Sequence, residues 1–257
     1  MVNNGIPLWF RCFKSKHNSK AFSFKLINDG ISFCYNLFKE KDYHVIFLAD
    51  RWFPHVDILS HIESIGAFYC IRTKSYFSYS YYNNKGFFCT SHIRDIKPRK
   101  HSAKVLENIF YSRKLFKTTI VVSRSIVTDE PWFLITNDIP SRAVRNYSYR
   151  FGSIECIFKS QKSNGFRLES TNTKKIEHFI SLFTIMCVAL VWLTIIGTDY
   201  VKNKHHYHLY IRDTRKHKNN TVSRLYSFFN LGLTIFNRCF YNFVDFTLKF
   251  DFVLYDI

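Results

Sequence analysis

The run YSYRFGSIECIFKSQKSNGF, Tyr147 to Phe166, sets a single carboxylate, Glu155, among Arg150, Lys159 and Lys162. A carboxylate kept inside a basic surface has two uses. On a helix, Glu155 and Lys159 form an i, i+4 ion pair worth roughly 0.2–0.5 kcal/mol. Alternatively, the acid holds a divalent cation against a phosphate, provided that a second acid is brought beside it. The candidate for that second acid is Asp50, which ends the run Val45 to Ala49 in HVIFLADRWFP. Carboxylates sharing one metal ion, or two ions about 4 Å apart, can activate a water and stabilise the leaving oxygen in phosphodiester cleavage. Lys162 lies seven positions after Glu155, nearly two helical turns, so both side chains project from one face.

These residues need elements to hold them. Val45 to Ala49 is a short continuous apolar run, as in strands buried on both faces. Upstream, GIPLWFRCF reads as a strand, and Phe22, Leu26, Ile27, Ile31, Cys34, Leu37 and Phe38 recur at helical spacing up to Lys39. Downstream, Pro54 suits the first turn of a helix, Val56, Leu59, Ile62 and Ile65 continue one face, and Gly66 supplies a C-terminal cap before FYCIR. The pattern is a β-α-β crossover, and Asp50 falls at the carboxyl edge of its first strand, where functional groups collect in open α/β sheets.

From about Thr73 to Arg145 the texture changes to short β-prone runs, YFSYSYY, KTTIVVS and WFLIT, separated by polar and basic loops. Tyr147 to Ser163 then reads as a helix, with Phe151, Ile154 and Phe158 on one face and Asn164-Gly165 as its stop. Gly152 weakens that helix by about 1 kcal/mol relative to alanine.

Lys and Arg total 37 against 19 acids, a formal charge of +18 on a chain that is 47% hydrophobic. On a chain this hydrophobic, such a surplus argues against disorder and for a folded protein that meets nucleic acid or an anionic membrane. The seven cysteines are scattered, with no CxxC pair, which suits reduced thiols in a cytoplasm. The loop from Arg94 to Lys104 concentrates five basic residues, and Arg94, Lys97, Arg99 and Lys100 are candidates to track a DNA backbone. No Walker loop, dinucleotide fingerprint or nucleophile elbow is present.

ADRWF around Asp50, WFLITN, and the series Tyr147, Arg150, Glu155, Lys162 followed by GFRLE resemble the insertion-sequence transposases of the Asp-Asp-Glu superfamily. The type is the insertion-sequence-four-like one, with its Tyr-Arg-Glu-Lys signature. The resemblance spans roughly Gly5 to Gly197. It implies an α/β ribonuclease-H-like core that holds three metal-binding acids and a mostly β insertion between the second and third. By position, Asp50 resembles the second acid and Glu155 the third, both catalytic and both ligands to Mg or Mn. Tyr147, Arg150 and Lys162 match residues that contact DNA phosphates near the cut. Four residues separate Arg150 from Glu155, one more than the signature carries.

The family's first acid lies on the first strand of the sheet, upstream of the segment that GIPLWF resembles. Asp29, inside a predicted helix, and Asp42, in a polar loop, are no substitutes. The expectation is therefore a core lacking its first strand, in a chain truncated at its N-terminus and inactive in strand cleavage. The expected organisation is 1–72 as the first part of the core, 73–145 as the β-rich insertion, 146–200 as the catalytic-helix part and 201–257 as a basic, aromatic C-terminal segment. The implied partner is DNA at transposon ends, in a bacterial, nucleoid-associated setting. A homodimer and a separately encoded N-terminal fragment are both compatible with it.

Phe179 to Gly197 is 19 residues without a charge, long enough to cross a bilayer. The favoured reading is a fully buried core helix; the alternative is a basic membrane-associated protein with one transmembrane helix there. His205, His206 and His208 sit in a basic tract with no acid or cysteine spaced to complete a metal site, and read as a solvated phosphate-facing patch.

Overall fold

The computed structural model describes residues 6–12, 20–124, 130–150, 166, 171, 175–203 and 210–241. The chain divides into two compact units, one essentially Leu8–Cys156 and the other built mainly from Ile157–Ile257. The first contains helix α1 (Lys20–Lys39), β1 (Ile46–Ala49), α2 (Val56–Ser64), β2 (Phe68–Arg72), β3 (Ser78–Tyr82), β4 (Phe88–His92), β5 (Ala103–Tyr111), β6 (Phe116–Ser123) and β7 (Trp132–Thr136). A further helix, α3, covers residues 143–150 of the described chain.

All seven strands join one sheet in the order β1-β2-β7-β6-β5-β3-β4. The β1–β2 pair is parallel, with Ala49 opposite Ile71, and every other pairing is antiparallel. The β-prone runs between residues 73 and 145 thus continue the same sheet as the β-α-β crossover. The result is a mixed α/β fold with a mostly antiparallel sheet.

Strand periodicity decides which side chains go where. Phe47, Ala49, Tyr69, Ile71, Ile120, Val122, Phe133 and Ile135 point to one face and pack with Ile58, Leu59 and Ile62 of α2 and with Ile27 and Ile31 of α1. Their alternates, Ile46, Leu48, Cys70, Val121, Trp132 and Leu134, point to the other face, against Ala143, Val144 and Tyr147 of α3. This two-sided covering explains why the central runs are continuously apolar rather than alternating.

Helix α2 stops as its sequence dictates. Gly66 takes φ +82°, its N–H bonds to the Glu63 carbonyl and the Ala67 N–H to the Ile62 carbonyl, the paired closure of a glycine-terminated helix.

One expected element is absent. Residues 6–12 carry no strand. Trp9 instead lies across α1 at Gly30, where a Cβ would come within 2.7 Å of the indole Cε3. An apolar, aromatic run satisfies the strand pattern equally well when it covers a helix.

The second unit is built on α4 (Ile176–Lys202) and α5 (Phe228–Tyr241), with a small hairpin of β8 (Thr214–Lys216) and β9 (Val222–Arg224). Leu190, Leu193, Ile196 and Tyr200 of α4 pack against Phe229, Leu231, Ile235 and Cys239 of α5. Gly197 and Gly232 sit where each helix meets the backbone of the other, Gly197 against Phe228 and Gly232 against Leu193. The expected fully buried helix is buried on one face only: Ile185 and Val188 are exposed, and 28% of its most apolar window lies inside the protein. By length and composition the helix is long and apolar enough to cross a membrane.

Candidate active site

Asp50 follows directly on β1, at the carboxyl edge of the parallel pair. Its carboxylate is shaped by its own turn: Oδ1 accepts the Arg51 N–H at 2.6 Å, and the Asp50 carbonyl accepts the Phe53 N–H at 2.9 Å. The Asp50 side chain is one-third exposed, so the acid stands at the lip of the sheet rather than within it.

Against it stands α3. The Arg150 guanidinium lies with Nη2 3.4 Å from Asp50 Oδ2 and is largely buried. One turn earlier, Tyr147 is fully buried, edge-on to Trp132 at 5.2 Å between ring centroids, with Arg150 5.8 Å from its own ring. Burial pushes the Tyr147 phenol above its ordinary value; Arg150 opposes that shift, Asp50 reinforces it, and smaller influences come from Arg72 and Cys70. The helix is held in register from the opposite edge of the sheet. There Asp138, buried after β7, accepts hydrogen bonds from Asn146 Nδ2 at 3.2 Å and pairs with His44 Nε2 at 2.9 Å. Asn146 immediately precedes Tyr147, so this anchor fixes which way Tyr147 and Arg150 face.

Sequence reasoning missed a second ion cluster on the same edge. Arg72, the last residue of β2, pairs through Nη2 with Glu130 Oε2 at 2.9 Å, and Arg51 Nη1 approaches Glu130 Oε1 at 3.8 Å. The available signal was that Arg72 closes β2 and Arg51 lies two residues past the end of β1, which places both at the carboxyl edge of the crossover. Next to them, the Lys74 ammonium lies 3.9 Å from the centre of the Trp52 ring system and 5.7 Å from that of Tyr76.

Of the residues singled out from sequence, Asp50, Tyr147 and Arg150 meet at this edge. Arg94, Lys97, Arg99 and Lys100 are exposed in the connection from β4 to β5. Arg94 is tied there by its N–H to the Ser75 carbonyl at 2.9 Å. Glu155 and Lys162 lie outside the described residues, as do His205, His206 and His208.

A family profile for the transposase DDE domain matches residues 2–192. The chain belongs to the DDE transposase family. No curated protein matches it.

DDE transposases generally use a divalent metal, and the test of fit here is the donor set. Asp50 offers hard carboxylate oxygens at the strand end, the ligand type that Mg or Mn prefers. Among the described residues, no group of three His, Cys, Asp or Glu side chains gathers that could hold a metal ion. Asp50 is of the donor type that such a metal takes, and the described residues by themselves do not complete a three-ligand group around it.

Proposed function

We propose that this transposase is of the insertion-sequence type with the Tyr-Arg-Glu-Lys signature, binding DNA at transposon ends and serving metal-dependent phosphodiester hydrolysis and strand transfer. The observation that carries the reading is the meeting of Asp50, at the carboxyl edge of β1, with Arg150 and Tyr147 of α3. Residues from two distant parts of the sequence converge where an α/β sheet collects its functional groups.

In this reading Asp50 and Glu155 would hold Mg or Mn, whose chemistry when bound would be to activate a water and stabilise the leaving oxygen. Arg150 has two duties. It orients the Asp50 carboxylate in the free protein, and with Lys162 it offers fixed positive charge to the phosphate being cut, as preorganised donors do for developing charge. Tyr147, wedged under Arg150 and against Trp132, holds the guanidinium in place. Arg94, Lys97, Arg99 and Lys100 contact the backbone of the bound duplex. The sheet is read as ribonuclease-H-like, with β1 and β2 as its parallel part. The family's first acid would then be carried on a strand against the outer edge of β1, the terminal strand of the described sheet.

The test uses Mn²⁺ binding followed by electron paramagnetic resonance, together with nicking of DNA that flanks the coding element. Wild-type protein should bind Mn²⁺, and Asp50→Ala and Glu155→Ala should each lose most of that binding; any nicking should require the metal and vanish in both variants. Undiminished Mn²⁺ binding in both variants would remove Asp50 and Glu155 from the site.

A further inference from the structure

Helix α4 turns one apolar face to α5 and a second one outward. Ile185 and Val188 are exposed there, and with Pro7, Thr184, Trp192 and Ile195 they line an apolar groove of about 710 Å³ within the second unit. The hydroxyls that could wet this face are turned back on the helix: Ser181 donates to the Glu177 carbonyl and Thr184 to that of Ile180. On the groove wall the Trp192 indole N–H is buried, with no acceptor among the described residues. Buried donors in folded proteins take an acceptor, and an extended chain laid along the groove would offer its backbone carbonyls.

The end of α5 lies at hand. Trp192 meets Phe236 edge-on at 5.3 Å, and Phe236 stacks on the exposed Phe240 at 5.9 Å. Phe228 lies at Gly197 and Gly232 at Leu193, so α5 runs antiparallel to α4 and its last residues reach the Thr184–Ile185 end of the groove. The sequence after Tyr241 is NFVDFTLKFDFVLYDI. From Asp245 to Phe252 it alternates without a break, with Phe246, Leu248, Phe250 and Phe252 on one phase and Asp245, Thr247, Lys249 and Asp251 on the other. That is the pattern of an extended segment with one apolar face. The groove from Thr184 to Ile195 is about 17 Å long at 1.5 Å per residue, a length that about five extended residues cover. Because it is joined to α5, this segment meets the groove at an effective concentration of about millimolar, ahead of any dilute partner.

We propose that residues 243–254 form a C-terminal strap that lays Phe246, Leu248 and Phe250 along the α4 groove, a backbone carbonyl accepting the Trp192 N–H. The strap closes off from lipid and from other chains a helix that is long and apolar enough to cross a membrane. The inference stands apart from the DNA-cleaving reading of the Asp50 edge and shares no residue with it.

The experiment uses the full chain with p-benzoylphenylalanine in place of the exposed Val188, irradiated in solution and mapped by mass spectrometry. The crosslink should fall between Asp245 and Tyr255 of the same chain, in a species of monomer mass. It should be lost in Leu248→Asp/Phe250→Asp and kept in Thr247→Asp, which places the same charge on the polar phase. With its strap released, the double variant should bind neutral phosphatidylcholine vesicles that wild-type protein leaves alone, while its far-ultraviolet circular dichroism matches wild type. Equal loss of the crosslink in Thr247→Asp, or a double variant as indifferent to vesicles as wild type, would overturn the strap. A crosslink to a second copy, in a species of twice the monomer mass, would overturn it in favour of self-association. Wild-type protein that floats with the vesicles and resists alkaline wash would overturn it in favour of a bilayer.

Discussion

Arg150 holds its guanidinium 3.4 Å from a carboxylate oxygen of Asp50, so the end of β1 and the last described residue of α3, far along the chain, are joined by opposite charges at the lip of the sheet. The pair is partly solvated on the Asp50 side, and its contribution to stability is accordingly modest, about 1 kcal/mol or less. Its value is geometric. Arg150→Ala should lower DNA affinity and reduce the slope of log affinity against log salt by about one, because one phosphate contact is lost. Arg150→Lys should restore the slope but not the full affinity, since an ammonium cannot reproduce the planar fork. A slope unchanged in Arg150→Ala, measured by filter binding across a salt series, would mean that this guanidinium does not meet phosphate.

The exposed set Lys97, Arg99 and Lys100 tests the broader electrostatic reading. Neutralising all three by alanine should flatten the salt slope by about 0.9 for each contact removed, with similar losses for unrelated duplex sequences. Loss confined to one sequence would assign these residues to base readout instead. Their exposure makes the folded state indifferent to the change, so thermal unfolding should stay where it is in the wild type.

Alkaline pH should unfold the sheet unit. Burial pushes the Cys70 thiol from 9.0 up to about 12, with Asp138 adding to the shift, and Tyr69 and Tyr111 are raised above 10.0, chiefly by burial as well. Each group keeps its proton in the folded state at pH values where the unfolded chain has released it. The stability these groups contribute is therefore fully present below about pH 9 and falls progressively as pH rises from 9 towards 12. Urea midpoints should decline over that window. Cys70→Ala should flatten the early part of the decline, at a cost in packing and in the hydrogen bond that the Cys70 thiol donates to the Ala143 carbonyl. A midpoint independent of pH up to 11 would contradict the burial of these groups.

Much of this arrangement was legible because it is local and periodic. The apolar run before Asp50, the face Val56, Leu59 and Ile62 of α2, the Gly66 cap and the strand FYCIR each follow from spacing alone, and together they fix where Asp50 must sit. The convergence of Tyr147 and Arg150 on that edge followed from family likeness, since no local rule links a helix to a strand so far upstream. Ion pairs of Glu130 with Arg51 and Arg72 were invisible for the same reason: the acid lies in a polar loop, and only the β2–β7 pairing brings it across. The run GIPLWFRCF failed in the other direction: its described residues 6–12 form no strand, and Trp9 covers α1 at Gly30 instead.

The crossing of α4 and α5 supplies the last prediction. At Gly197 an added Cβ would overlap the Phe228 carbonyl, and at Gly232 it would overlap the Leu193 carbonyl, so each helix approaches the other's backbone closer than any side chain allows. These are backbone atoms inside two packed helices, and they cannot rotate away as a side-chain tip would. Gly197→Ala or Gly232→Ala must therefore push the helices apart and loosen Leu193, Ile196 and Ile235, all now buried. Alanine also favours the helical state by about 1 kcal/mol over glycine, which would stabilise the helix if the site were open. Overpacking costs of about 1–3 kcal/mol or more should outweigh that gain. The expected result is faster amide exchange along α4 and α5 in either variant, with exchange in β2, β6 and β7 unchanged because the two units have separate cores. A Gly197→Ala protein whose α4 and α5 exchange as slowly as wild type, or more slowly, would show that the helices do not cross at these glycines.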